Sequence, residues 1–202
     1  MRHNIWYVSK YIAPPGHGPV GSRGYLLMRE IARLGHKVAL ITSDSNKLAE
    51  PPPLHVDFLI QEVDGMQLCW LRTLKYSAAK SMRRMMSWLH FEWCLLRLPK
   101  KQLPTPDVVV ISSLSLLTVL NGIFWRKRYK CRLIFEVRDI WPLTLVEEGG
   151  FSSSNPFIKL FGIVEYFGYK YADAIVGTMP NLGEHVQQIL GYPKKTYCIP
   201  MG

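Results

Sequence analysis

Between residues 4 and 44 an apolar run (Ile5, Trp6, Tyr7, Val8) leads into a glycine- and proline-rich loop, PPGHGPVGSR, then an amphipathic segment, then a second apolar run from Lys37 to Thr42. No other stretch constrains the fold as much, because strand, loop, helix and strand in so short a span describe a βαβ unit. Leu27, Ile31 and Leu34 recur at i, i+4 and i+7 and are expected to share one helical face. Gly35 is placed to end that helix in a left-handed cap. Glycines at the first strand-to-helix turn leave backbone N–H groups unencumbered at a helix N-terminus, where the dipole favours phosphate or carboxylate. The sequence therefore points first to a site for a phosphorylated ligand.

The loop contains G-x-G-x-x-G (Gly16, Gly18, Gly21), and Asp44 follows the second strand where a dinucleotide fold keeps its ribose-binding acid. That fingerprint turns directly after the strand, whereas here Lys10 to Pro15 intervene and Pro19 sits inside the motif. The spacing suits a longer, open loop. An NAD(P)-binding oxidoreductase domain stands as an alternative, and a purely structural loop as another.

Further along, Pro51, Pro52 and Pro53 mark a connection, and residues 55–72 read as two extended pieces around a turn at Asp64-Gly65. Residues 75–98 turn helical until Pro99, Pro104 and Pro106 end the pattern. Strands are expected at Asp107 to Ile111, Arg132 to Val137, Ala174 to Thr178 and Thr196 to Ile199. Helices are expected at Leu114 to Trp125, at Pro180 to Leu190 with Leu182, Val186 and Ile189 on one face, and from Pro156, capped by Asn155, to about Tyr171. Such alternation implies an α/β, Rossmann-like, doubly wound and mostly parallel sheet in one domain, 1–202, with ligands at the carboxyl ends of the strands.

With 25 Lys and Arg against 15 Asp and Glu, the chain carries +10, which favours an anionic partner: nucleic acid, a phospholipid surface or a phosphorylated substrate. Nucleic acid would call for a recognisable module, and none is present, so no nucleic-acid partner is expected. Cys69, Cys94, Cys131 and Cys198 are scattered without a C-x-x-C pair, which argues against a disulfide framework or a metal site and suits a reducing cytosol. No signal-peptide pattern opens the sequence and no window reaches the ~20 apolar residues of a membrane span, so any membrane contact is expected to be peripheral.

Two clusters carry chemistry. Arg138-Asp139 follows the strand at Arg132 to Val137, within EVRDIWP, and so projects from the carboxyl edge. Asp139 could accept a proton or hydrogen bond there and Arg138 offer a planar cationic fork, or the two could form an internal salt bridge that pins the loop. The second cluster is the basic segment Leu71 to Lys101, where Lys80, Arg83 and Arg84 interleave with Trp88, Phe91 and Trp93. Bases alternating with large aromatics suit the headgroup boundary of an anionic membrane, and a core helix with a basic outer face is the simpler reading.

Strand, PP-x-x-G-x-x-x-x-x-R, helix, GHKVALIT, then VRDIWP, NPFIKLFGIVEYFGYKYADAIVGTMPN and YCIPMG together resemble the N-terminal half of a family-four glycosyltransferase of bacterial surface polysaccharide biosynthesis. The likeness runs from residue 4 to 202 and is loose over 50–105. It implies the first, acceptor-binding domain of a GT-B fold, with the donor-binding domain lying beyond this chain. It further implies retaining transfer from a nucleotide-sugar donor to a lipid-linked or other saccharide acceptor, without a cofactor or obligatory metal. Gly16, Gly18 and Gly21 would then form the loop that approaches donor phosphates and acceptor, Arg23 a phosphate or acceptor contact, and Arg138 and Asp139 the polar pair of the site. His17 shares the loop, although an isolated exposed histidine is ordinarily only solvated, and His36 reads as structural. The chain alone is expected to be inactive, and to work in the cytoplasm at the inner face of the plasma membrane. A non-catalytic, membrane-associated scaffold for a separate donor-binding chain is the competing expectation.

Overall fold

The computed structural model describes residues 1–17, 22–77, 82–98, 102–147, 152 and 154–200. The chain divides into two compact units, Met1–Val109 and Val110–Gly202.

In the first unit, strand β1 (Asn4–Val8) pairs in parallel with β2 (Lys37–Ser43), with Asn4 opposite Lys37 and Val8 opposite Ile41. On its other side β2 pairs in parallel with β4 (Met66–Leu71), and β3 (Phe58–Val63) closes the edge antiparallel to β4. The β3–β4 turn falls at Asp64-Gly65 as expected, and both residues have positive φ, 51° and 72°, the geometry a tight hairpin favours. Trp6, Tyr7, Val8, Leu40, Ile41, Leu68 and Trp70 are all buried, the near-continuous apolar pattern of strands covered on both faces.

Helix α1 (Arg23–Arg33) lies between β1 and β2, and Gly35 follows it at φ 93° as the left-handed stop. Its inward face is Gly24, Tyr25 and Met28, not the expected Leu27, Ile31 and Leu34 stripe; Leu34 is 79 % exposed. A Cβ at residue 24 would lie 2.2 Å from the Tyr7 hydroxyl, so the missing side chain lets the helix approach the strand along its glycine edge. Tyr25 then donates to Asp64 Oδ2 at 2.6 Å and ties the helix to the hairpin turn. Helix α2 (Met82–Leu96) follows the hairpin and turns Ser87, Phe91 and Leu95 inward. Residues 75–77, expected to be helical, are not.

The second unit repeats the βα theme. Strand β5 (Val108–Ser112), which starts at the boundary between the units, is followed by a 3-10 turn at Ser113–Ser115 and helix α3 (Thr118–Tyr129). That extra turn shifts the helix about one turn beyond its expected start. Then come β6 (Arg132–Val137), short α4 (Leu143–Glu147), α5 (Pro156–Tyr171), β7 (Ala174–Gly177), α6 (Leu182–Leu190) and β8 (Thr196–Cys198). The strands run in the order β5-β6-β7-β8, with β6–β7 and β7–β8 parallel. Asn155 caps α5 by accepting from the Phe157 N–H at 2.9 Å, with Pro156 at the first helical position. In α6 the inward residues are Leu182, Val186 and Leu190, while Ile189 stays partly exposed, one position from the expected stripe.

The fold class is therefore α/β and Rossmann-like, with mostly parallel strands and β3 as the antiparallel edge. Among the described residues no helix is long and apolar enough to cross a membrane.

Candidate functional site

In the first unit the loop between β1 and α1 is closed at its neck, where the Ser22 N–H donates to the Ala13 carbonyl at 2.9 Å and the Ala13 N–H to Ser22 Oγ at 3.2 Å. Gly16 sits at φ 78°, a conformation that calls for glycine, in a turn closed by the His17 N–H on the Pro14 carbonyl. His17 is not merely solvated: its Nδ1 meets the Glu50 carbonyl at 2.8 Å and its ring packs edge-on against Trp70. It latches the glycine loop to the connection that follows β2. Gly18 and Gly21 lie outside the described residues. Arg23 opens α1 and is half-buried.

At the carboxyl end of β2, Asp44 is buried and fully engaged. Its Oδ1 accepts from the Thr73 N–H at 2.8 Å, and its Oδ2 pairs with Lys75 Nζ at 2.8 Å. A carboxylate held inward in this way is not turned toward a ribose, which removes the main support for dinucleotide binding. Beside it is a residue that sequence reasoning missed. Lys10, two residues past β1, is completely buried and donates to Ser43 Oγ at 3.1 Å and Ser87 Oγ at 3.0 Å, with the Tyr11 and Phe91 rings against its ammonium. Burial drives its pKa down to about 7, against the opposing pull of Asp44 and Glu92. Its place at the strand's carboxyl edge was the available signal; its burial was not visible.

In the second unit Arg138 and Asp139 follow β6 and are both half-buried. Their loop is set by Ser113, whose Oγ accepts from the Arg138 N–H at 2.9 Å and lies 3.3 Å from the Asp139 N–H and carbonyl. Neither side chain forms an ion pair among the described residues, so the loop is held through its backbone and the guanidinium and carboxylate are left for other work. Ser113 is a positioning residue that no local motif singles out. Asp173, just before β7, serves the fold: it takes a bidentate grip from Arg126 (2.9 and 2.6 Å) and accepts from the Leu133 N–H at 2.8 Å.

The basic-aromatic helix divides differently from expectation. Phe91 is fully buried, and Trp88 is turned inward, donating to the Tyr11 hydroxyl at 2.9 Å with Arg84 stacked on its ring. These three belong to the packing of α2, because Lys10 and Tyr11 give that face of the helix polar and aromatic partners. Lys80 lies outside the described residues. Arg83 and Trp93 are exposed as expected, with Arg97 over the Trp93 ring. The outward apolar row is Met82, Met86, Leu89, Trp93 and Leu96, each between 44 % and 69 % exposed, at the 4-3-4-3 spacing of a single helical face.

A family profile described as Glycosyl transferase 4-like domain matches residues 20–202. No curated protein sequence matches the chain. Among solved structures it is similar to sucrose-phosphate synthase from Thermosynechococcus elongatus, with TM-score 0.64 and 14 % identity, over 100 % of this chain and 48 % of that one. It is similar also to Anabaena Alr3699/HepE in complex with UDP and glucose (TM-score 0.52, 10 % identity, 100 % and 45 % covered). A third is Phytolacca americana UGT2 complexed with UDP-2fluoro-glucose and pterostilbene (TM-score 0.51, 10 % identity, 99 % and 52 % covered). The chain thus spans about half the length of these three structures.

Proposed function

The chain belongs to the glycosyl transferase 4-like family, with the Rossmann-like fold of GT-B glycosyltransferases, and from that premise we propose that it is the acceptor-binding half of an enzyme that glycosylates a lipid-linked saccharide. The donor in this reading is a nucleotide sugar gripped by a second domain, the transfer proceeds with retention and without metal, and the product feeds surface polysaccharide. UDP or a UDP-sugar analogue in two of the similar structures supports the donor class.

The observation that carries the lipid part is the outer face of α2. Five apolar side chains in one row, with the cations Arg83 and Arg97 on the same helix and its continuation, fit a helix lying at the surface of an anionic bilayer. Chain charge of +10 adds long-range attraction to that surface. The working site is cytoplasmic, peripheral on the inner leaflet.

Chemically, Arg138 and Asp139 are the pair for the reaction. The guanidinium would offset charge on the departing diphosphate, and the carboxylate would orient the acceptor hydroxyl, with Ser113 holding both at fixed height. Gly16, His17 and Arg23 shape the loop side of the acceptor's position.

Two measurements test this. In the full-length protein Asp139→Asn should lower turnover at least tenfold with unchanged circular dichroism; an unchanged rate removes the residue from the site. Sedimentation with liposomes should show binding to anionic and not zwitterionic lipid, weakened by salt and by Met86→Ser with Trp93→Ser. Equal sedimentation with both lipids, or with neither, refutes the membrane part. If the lipid binding holds and no sugar is transferred to any acceptor, the domain is a scaffold.

A further inference from the structure

A groove in the first unit has two connected parts. The first is a cleft of about 620 Å³ walled by Pro51, Pro52 and Pro53 and floored by Thr73, with Arg72 and Lys75 on its rim. The second, of about 380 Å³, is bounded by Phe58, Leu71, Trp93 and Arg97. Arg72 and His90 line both, so the two parts meet at those side chains.

The charges in the groove favour an anion. Of its two carboxylates, Asp44 is buried and already closed by Thr73 and Lys75, and Asp57 stands in solvent, with only a 3.5 Å contact to Arg72. Lys75 directs two contacts at Asp44, to Oδ2 at 2.8 Å and to the carbonyl at 2.6 Å, which leaves one of its three ammonium hydrogens for a ligand. Arg72 makes only long contacts, 3.4 Å to the His55 carbonyl and 3.5 Å to Asp57, so most of its five donors are available at the junction of the two clefts. A guanidinium and an ammonium converging on one cleft match phosphate oxygens. His90 is fixed for this geometry, its Nδ1 accepting the Leu74 N–H at 3.1 Å, so the strand-end backbone and α2 are joined across the groove.

Pro51, Pro52, Pro53 and Leu54 supply apolar lining in the first part and Phe58 and Leu71 in the second, which is bounded by Trp93, a member of the exposed row on α2, and by the further cation Arg97. A ligand with a phosphate at Arg72 and Lys75 and a chain passing Phe58 would therefore leave the groove where α2 meets a bilayer. We propose that this groove binds the phosphate or diphosphate head and first chain segment of a phosphorylated single-chain lipid, the carrier of the acceptor. The assignment rests on the acceptor reading given above.

The test uses farnesyl diphosphate as probe, with farnesol and inorganic pyrophosphate as controls, in titrations of the full chain. Farnesyl diphosphate should bind at least tenfold more tightly than either control, and Arg72→Gln should weaken it at least tenfold. Because Lys75→Gln alone strands the Asp44 carboxylate, the paired change Asp44→Asn with Lys75→Gln replaces it and should weaken binding three- to tenfold. Equal binding of farnesol, or unchanged binding in both variants, overturns the proposal. Vesicles of phosphatidylglycerol separate the sources: retention of Arg72→Gln on vesicles together with loss of farnesyl diphosphate supports a carrier lipid, and parallel loss of both shows a membrane headgroup contact and overturns the carrier assignment. Failure of the groove with sugar transfer to the lipid acceptor intact leaves the proposed function standing. Tight binding without any transfer removes the function and leaves the groove.

Discussion

Beneath α2 lies a buried lysine held by two hydroxyls; on the inward face of α5 lies a buried glutamate shared by Tyr169 and His185. Lys10 finds Ser43 and Ser87, neutral partners that stabilise an ammonium only weakly, and burial pushes its proton off near neutrality. Glu165 accepts from the Tyr169 hydroxyl at 2.9 Å and meets His185 Nε2 at 2.9 Å, linking α5 to α6. The phenol's ionisation is pushed far up by burial and by the adjacent carboxylate, so Tyr169 remains a donor throughout the working range. The contrast teaches that a buried charge anchors a helix firmly only when its partners answer it. By this argument α5 is the fixed element, and α2 is the element whose seat responds to conditions.

The largest effect should come from removing the answered charge. Glu165→Leu strands the Tyr169 hydroxyl and His185 in a buried site, and should cost about 3 kcal/mol, with Glu165→Gln recovering part of it. Amide hydrogen exchange resolves where the loss falls: faster exchange in α5 and α6, with α2 unaffected, sharpens the contrast. An equal rise in α2 would break it.

A smaller effect is expected at the other paired charge of the second unit. Asp173 is held below the usual carboxylate range chiefly by its hydrogen bonds from Arg126, assisted by the Leu133 N–H. A carboxyl whose folded pKa is depressed contributes stability above its unfolded value and loses it as pH falls through the folded one. Asp173→Asn should therefore cost about 1 kcal/mol at neutral pH, allowing for a partly solvated pair, and should flatten the acid limb of the stability curve below about pH 4. Urea midpoints at pH 3.5 and 7 measure it, and an unchanged acid limb would assign the loss to the backbone cap alone.

These anchors were only partly legible in the sequence. Strands β1, β2 and β6 and helix α5 could be read because independent signals coincide there: unbroken apolar runs in the strands, and the Asn155-Pro156 start for the helix. The inward face of α1 was misread because it is chosen by the Tyr7 ring below it, which favours Gly24 over leucines. On α2 both sides are apolar, so periodicity alone could not say that Phe91 and Trp88 turn in while Met82, Met86 and Leu89 turn out. The Arg138-Asp139 loop was found from its place after a strand, but Ser113, which holds it, is 25 residues away from Arg138 and leaves no local trace. Asp173 lies in a stretch that carries the family resemblance, but its clamp on Arg126 depends on a contact across 47 residues that spacing does not encode.

The smallest effect at neutral pH, and the sharpest in its pH dependence, belongs to Lys10→Met. Folding lowers the lysine's pKa from its ordinary 10.5 to about 7, so between those values the unfolded chain holds a proton that the folded chain sheds. Stability must then rise with pH across that window, and the cost of burying the charged form is fully present below about pH 7. Methionine keeps the length and the contacts with Tyr11 and Phe91, while Ser43 retains Thr73, and Ser87 retains Ser45, as hydroxyl partners. Lys10→Met should therefore match or exceed the natural chain at pH 6.5 and fall behind it by on the order of 1 kcal/mol at pH 9. Comparing the two at each pH cancels the other titrating groups, including the Cys69 thiol that burial pushes up to about 12. Exchange in α2 should follow the same curve and exchange in α5 should not. If the difference between the two proteins is flat with pH, Lys10 is charged when folded, its hydroxyl shell answers it as fully as Glu165 is answered, and the two seats are electrostatically alike.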